Sequence, residues 1–388
     1  MQITKILFLF ICRFCQGCAA ALSNTTGPNA IGEICSPKYR GFFIALYKST
    51  GTVGIILECI FASVFCSYSK TVFATTALTL IFFPTIPWII ESPYYLLGVS
   101  KYEEAKRTLA KIRKGHSENE ISSEYELLKQ SVEHEASIRS ERNWLQYLAL
   151  KSTRKPLICC ILLNTLVFAN GTNVIFIYAS VIFPPNEYVS NKMYPLILSL
   201  IQLGSSMSAA LLIDALPRRQ FYMLAGFLSF MIQSFNGIMY YEYTHADDMQ
   251  RQDVSKWSFL IGSVLFWILA NAVISPLHIT LKSEILPLSI RGLGNSICII
   301  SQAISTIVCC QIFSFVDAHF GTPANYAIFA SNSFLIFLVV YFFVPETRGK
   351  TLAEVQQSNH DADSVKIARK KSECNNYYNN NSNNNSSN

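Results

Sequence analysis

Gly32-Glu33-Ile34-Cys35-Ser36-Pro37-Lys38-Tyr39-Arg40-Gly41 and Ser283-Glu284-Ile285-Leu286-Pro287-Leu288-Ser289-Ile290-Arg291-Gly292 are two copies of one ten-residue pattern. In both, an acid follows a small residue, isoleucine comes next, and Arg-Gly closes the stretch at the same distance from the acid. Each copy leads into a long apolar segment. Each is followed about sixty residues later by a second acidic mark, Glu91-Ser92-Pro93 after the first and Pro345-Glu346-Thr347 after the second. The chain reads as two halves related by a parallel internal repeat.

Only 14% of the 388 residues are charged, against 51% hydrophobic and 13% aromatic; an average soluble domain carries roughly 25% charged residues. A surface facing water cannot be built from so few charges. The apolar residues also fall in blocks of about 18 to 25, the length that crosses a hydrocarbon core of about 30 Å as helix. The fold class expected is therefore an all-α polytopic membrane protein. Nearly all of the twelve cysteines lie inside apolar blocks, as Cys159-Cys160 and Cys309-Cys310 do, where they act as small hydrophobes. The net charge of +6 needs no nucleic-acid partner, because topology accounts for where the charges fall.

Apolar spans are expected at about 3–31, 42–66, 71–90, 157–183, 193–213, 220–241, 258–281, 293–316 and 325–344, the third broken by Pro84 and Pro87. In the first, Arg13 argues against a signal peptide, and Cys12, Cys15 and Cys18 lack the fourth ligand a cluster requires. Between Ser100 and Lys155 charges recur at helical spacing, which reads as a solvated helical insert. Three spans precede the insert and six follow it. If the halves are true repeats, three helices, on the order of a hundred residues, are missing ahead of the first span. The domains expected are 1–97 as a partial first bundle holding helices 4–6, 98–156 as the insert, 157–345 as a six-helix bundle holding helices 7–12, and 346–388 as a tail, disordered after about 357. The Asn- and Ser-rich end from Cys374 has nothing to bury.

With the insert placed in the cytoplasm, 24 Lys and Arg fall on that side and four, Lys70, Lys192, Arg251 and Lys256, on the other. This positive-inside bias puts the insert and the C-terminal tail inside the cell. Asn24-Thr25-Thr26 and Asn170-Gly171-Thr172 then fall within spans, where no glycosylation is expected.

The six histidines are dispersed, and no nucleophile elbow, Gly-rich phosphate loop or metal-ligand spacing is present. Neither enzymatic chemistry nor a cofactor is expected, and moving a solute across the membrane is the remaining task. The duplicated acids and arginines sit at cytoplasmic helix ends, where bridges between the halves would bias a two-state equilibrium by a few kcal/mol. Asp214, with Arg218 and Arg219, supplies a third such turn.

Arg13 twenty positions before Glu33, Pro37, Arg40-Gly41, Glu91-Ser92-Pro93 with Leu96-Leu97 and Glu103-Glu104-Ala105, Asp214 with Arg218-Arg219, Glu284 with Arg291-Gly292, and VPETRGKTLAEV at 344–355 carry a resemblance. On these residues the chain resembles the sugar porter family of the major facilitator superfamily, most nearly the insect facilitated trehalose transporters, over about residues 5–357. The resemblance implies a major facilitator fold lacking the first three of twelve helices. It also implies a monomer in the plasma membrane that moves a sugar, trehalose or a hexose, by alternating access. Its cytoplasmic gate would be Arg13, Glu33, Arg40, Glu91, Asp214, Arg218, Arg219, Glu284, Arg291 and Glu346.

The sugar site matches less well. Each sugar hydroxyl taken from water must be paired again, and amide side chains both donate and accept. Where the family carries a Gln-Gln-x-x-Gly-x-Asn run, this chain has Val167 and Phe168 in place of the glutamines but keeps Gly171 and Asn173. Gln202 and Gln302 match in type on helices 8 and 11, and Asn271 is polar on helix 10. Lys48 replaces a usual glutamine, and His278 lies in the reduced Ser275-Pro276-Leu277-His278 stretch. Asn173, Gln202, Gln302, Asn271, Lys48 and His278 are the substrate-binding candidates. A non-transporting sensor, a non-functional fragment, and a carrier whose substrate has become an organic anion through Lys48 and His278 stay open as alternatives.

Overall fold

The computed structural model describes residues 2–35, 40–65, 67–88, 90–113, 117–141, 151–185, 189–212, 218–286 and 291–344. All nine expected apolar segments are helical over most of their length. The first half holds α1 (Gln2–Ile34), α2 (Arg40–Phe65) and α3 (Tyr68–Leu80). α3 stops where the sequence supplies Pro84 and Pro87, which have no N–H to donate, and the chain tightens to a 3₁₀ stretch, Phe83–Trp88. α1 and α2 pack at Gly27, where the Tyr47 ring fills the space a Cβ would take, and the Tyr47 hydroxyl reaches Ser23 O at 2.8 Å. Eight segments among the described residues are long and apolar enough to cross a membrane.

Next come α4 (Pro93–Gly98) and, within the stretch expected as the insert, α5 (Tyr102–Ile112) and α6 (Glu118–Glu141). Ser92 caps α4 by accepting from the Tyr94 and Tyr95 amides, and Pro93 occupies the first helical position, where its missing N–H costs nothing. α5 carries Glu103 and Glu104 in its first turn and Lys111 in its last, matching its dipole. Its apolar side buries Ala105 and Leu109; Ala105 packs with Leu96 and Leu97, against which Tyr125, Leu128 and Val132 of α6 lie. Arg113 then grips Glu124 through two nitrogens, at 2.9 and 3.1 Å, and its third, Nη1, donates to the carbonyl of Ile34 at 3.1 Å. One guanidinium thus ties the insert to the end of α1.

The second half opens with α7 (Lys151–Ala169), which runs through Pro156 without a break, so that the helix begins in the charged stretch and continues into the span. After α8 (Thr172–Ile177) and α9 (Ala179–Ile182) come α10 (Tyr194–Leu212), α11 (Arg218–His245) and α12 (Met249–Leu269). A π turn, Ala270–Ile274, joins α12 to α13 (Ser275–Ile285), and α14 (Arg291–Phe320) and α15 (Thr322–Phe343) complete the chain. Lipid tails are as apolar as leucine, so close packing rather than exclusion of water holds such helices together. Small residues permit it: Gly226 of α11 lies where a Cβ would stand 3.1 Å from the Phe337 backbone of α15, and Gly262 of α12 faces Asn236 of α11. The halves meet mainly through α2 and α10, where Ser49 Oγ lies 3.3 Å from Ser206 Oγ and 3.4 Å from Met207 Sδ.

Candidate functional site

The span from α7 to α9 is broken at Gly171, whose φ of +90° is a left-handed conformation that a side chain resists. The Phe329 ring also stands 2.6 Å from where a Cβ would sit. Asn170 restarts the helix, its Oδ1 accepting from Thr172 N at 3.0 Å and Thr172 Oγ1 at 2.7 Å. A break at membrane depth strands carbonyls that lipid cannot satisfy. Asn332 Nδ2 of α15 donates to Ala169 O at 3.1 Å, and Gln233 Nε2 of α11 donates to Asn170 O at 3.1 Å. Just past the break, Asn173 Nδ2 donates to Thr306 Oγ1 at 3.4 Å, and the Thr306 hydroxyl donates to Gln302 O at 3.0 Å. Of the sequence candidates, Asn173 therefore meets α14 at Thr306, whose hydroxyl rests on the backbone carbonyl of Gln302. Asn170 itself is buried.

The same seam continues along α7. Ser305 Oγ donates to Thr165 O at 2.8 Å, and Asn164 Nδ2 donates to Cys298 O and to Ser301 Oγ at 3.0 Å. Since both amide hydrogens of Asn164 are used, its Oδ1 is an acceptor, and His278 Nε2 donates to it at 2.8 Å. That hydrogen bond fixes the imidazole with its proton on Nε2. Phe168 meets the ring edge-on at 6.3 Å. His278 is thus buried and held, while Val167 and Phe168, in the places of the resemblance's glutamines, pack with the apolar core of this half.

Pro276 explains the π turn before it: its ring would collide with the carbonyl four residues back, and it has no N–H to return. Within this turn Asn271 Nδ2 donates to the Trp267 carbonyl at 2.9 Å. Asn271 therefore serves its own helix. Gln202 lies one turn from both Ser199 and Ser206 on α10, and Ser206 Oγ meets Ser49 Oγ of α2 at 3.3 Å. Lys48 precedes Ser49 on α2 and is exposed. Sequence reading missed Asn164, Gln233, Asn332 and Lys282. Lys282 follows His278 by one helical turn, and it had been counted only toward topology.

Among the gate candidates one correction is needed. α1 is continuous from Gln2 to Ile34, so Arg13 stands 20 residues from Glu33, roughly 30 Å along the axis. The two lie at opposite ends of one span, and Arg13, bonded at 3.3 Å to Gln16, leaves the cytoplasmic set. Glu91 lies in an open groove with Arg107 and Lys111 of α5 and Trp88 of the first half. Arg219 donates through Nη2 to Tyr341 O at 2.7 Å, joining the start of α11 to the end of α15. Asp214 and Glu346 lie outside the described residues, as do the side chains of Glu33, Arg40, Arg218, Glu284 and Arg291, whose backbones are helical.

Known proteins are similar to this chain in sequence and in fold. The family of sugar (and other) transporters matches residues 2–358. The facilitated trehalose transporter Tret1-1 of Drosophila simulans is 25% identical over 346 residues, 89% of this chain and 40% of that protein. The Tret1 transporter of Apis mellifera ligustica is 24% identical, over 89% of this chain and 67% of that one. The chain thus spans two fifths of the length of its Drosophila relative. Among solved structures, the proton:xylose symporter XylE of the major facilitator superfamily, bound to 6-bromo-6-deoxy-D-glucose, superposes with a TM-score of 0.67 at 24% identity. That match covers 87% of this chain and 70% of XylE. An inward-open XylE from E. coli gives 0.64 at 20% identity. The fold is that of the major facilitator superfamily, multi-pass in the membrane, and the match over nearly the whole sequence places the protein in the family of sugar (and other) transporters.

Proposed function

We propose that this chain is a facilitative carrier of sugar-sized, polyhydroxylated solutes that works by alternating access of its two halves. The observation that carries the reading is the break at Gly171, which sets Asn173 beside the Gln302–Thr306 turn at membrane depth. Irregular backbone lined by amides within a span is where a bundle binds its solute. The Drosophila relative is named for trehalose, and the XylE structure holds a glucose analogue. Trehalose and hexoses are accordingly the first solutes to test.

In this reading residues 1–97 and 157–345 are the moving halves, 98–156 is the cytoplasmic insert and 346–388 a cytoplasmic tail, in a protein of the plasma membrane. Glu33, Arg40, Glu91, Asp214, Arg218, Arg219, Glu284, Arg291 and Glu346 close the inner side. Oocytes expressing the chain should take up radiolabelled trehalose or glucose above water-injected controls. Asn173→Ala and Arg291→Ala should each lower uptake about tenfold at unchanged surface level. Uptake no greater than the controls, with the protein at the surface, sinks the reading.

A further inference from the structure

We propose that the groove between the end of the span Tyr68–Trp88 and α5 binds the headgroup of an anionic phospholipid, its phosphate held by Arg107 and Lys111 and its chains laid along the exposed apolar end of that span. The inference goes beyond the transport reading and does not depend on it. The groove, about 450 Å³, is lined by Trp88 and Glu91 on one side and by Glu104, Arg107, Thr108 and Lys111 of α5 on the other. Positions 104, 107, 108 and 111 fall on one face of a helix. Another face, bearing Ala105 and Leu109, is buried, so α5 is fixed with its charged face to the groove.

The groove also lies where lipid headgroups are. The apolar span ends at Trp88, which is 78% exposed, and Phe82, Phe83 and Ile86 behind it are exposed as well. Tryptophan at the end of a span marks the boundary between hydrocarbon and headgroups. Of the acids in the groove, Glu104 is paired with Lys101 at 3.2 Å. Arg107 and Lys111 belong to neither salt bridge of the described residues, the second being Arg113–Glu124. Two cations thus face one remaining carboxylate, Glu91, and a singly charged phosphate diester leaves the groove neutral. A guanidinium binds phosphate through two parallel N–H groups, and Lys and Arg beside a span attract acidic lipid. Arg113, at the far end of α5, already ties the insert to the Ile34 carbonyl of α1; a lipid at Arg107 and Lys111 holds it against the first half at a second point.

The test is native mass spectrometry of the purified full-length chain in mixed micelles holding equal amounts of phosphatidylglycerol and phosphatidylcholine, after thermal unfolding has shown each variant to be folded. Phosphatidylglycerol should be retained well beyond phosphatidylcholine. Arg107→Gln and Lys111→Gln should each lower that preference about fivefold, Lys111→Arg should keep it, and Glu91→Gln should raise it by removing the opposing charge. Lys106, exposed on α5 but outside the groove, supplies the control, and Lys106→Gln should change nothing. Equal retention of the two lipids overturns the proposal. So does a loss in Lys106→Gln as large as in Arg107→Gln, which reduces the effect to general surface charge. Phosphatidylethanolamine retained as well as phosphatidylglycerol assigns the groove to zwitterionic lipid, and displacement by millimolar inorganic phosphate assigns it to a soluble anion; either result sinks the proposal. If one glutamine variant fails to fold, the other reads the same groove.

Discussion

The ring of Phe329 stands 2.6 Å from the point where a Cβ on Gly171 would sit, so the break leaves no room for a side chain. Gly171→Ala meets two penalties: the left-handed backbone costs roughly 1–2 kcal/mol for a side chain, and overpacking typically adds about 1–3 kcal/mol. The variant should lose most of its surface expression. Gly171→Ala with Phe329→Ala should recover part of the thermal stability in detergent, because the second change empties the space the new methyl needs. A double variant no more stable than Gly171→Ala would show that backbone strain alone makes glycine necessary.

Asn164 bridges three helices, so its loss should not behave as one missing hydrogen bond. Asn164→Ala leaves the His278 Nε2 proton without its partner in a buried site, at a cost of about 1–3 kcal/mol, while the Cys298 carbonyl keeps the Ser301 hydroxyl. In a double-mutant cycle with His278→Phe, the combined change should be much less destabilising than the sum of the two. Additive losses in thermal unfolding would mean that the pair is not coupled.

Arg113 makes a prediction about the insert. Its guanidinium is mostly buried and joins Glu124 of α6 to the Ile34 carbonyl of α1. Arg113→Ala should loosen the insert by about 1.5–3 kcal/mol, the range for hydrogen bonds to charged groups. Arg113→Lys should recover little, since an ammonium cannot form the fork. Hydrogen exchange should show faster amides in α5 and α6 while the α11–α15 core is unchanged. Protection retained in α5 would place the insert's stability in Ala105 and Leu109 instead.

The helical spans were legible in the sequence because length and hydropathy alone decide them, and the duplicated Glu-Ile and Arg-Gly stretches marked the helix ends. Gly171 and Asn173 were legible through the resemblance, as the part of its Gln-Gln-x-x-Gly-x-Asn run that this chain keeps. Asn164, Gln233 and Asn332 were not. A single amide in a membrane helix carries no periodicity that tells which neighbour it meets, and their partners lie 63 to 163 residues away in sequence. Arg13 was misplaced for a different reason: it belongs to the pattern of matching residues, but the rise of a continuous helix separates it from Glu33 by the depth of the membrane. Lys282 was hidden by its position near a helix end, where a positive charge is expected for topology.

The contact of Ser49 with Ser206 offers a direct test of whether the halves move. Their oxygens are 3.3 Å apart across the α2–α10 seam, and Cβ atoms about 3.5–4.5 Å apart suffice for a disulfide. Cysteines at both positions should crosslink on mild oxidation. Alternating access requires the seam to slide, so the bond should remove most uptake and dithiothreitol should restore it, with neither single variant responding. The native cysteines make the single variants necessary controls. Full uptake in the oxidised double variant, with the crosslink verified after cleavage within the insert, would show that α2 and α10 stay fixed during transport and would move the hinge elsewhere in the bundle.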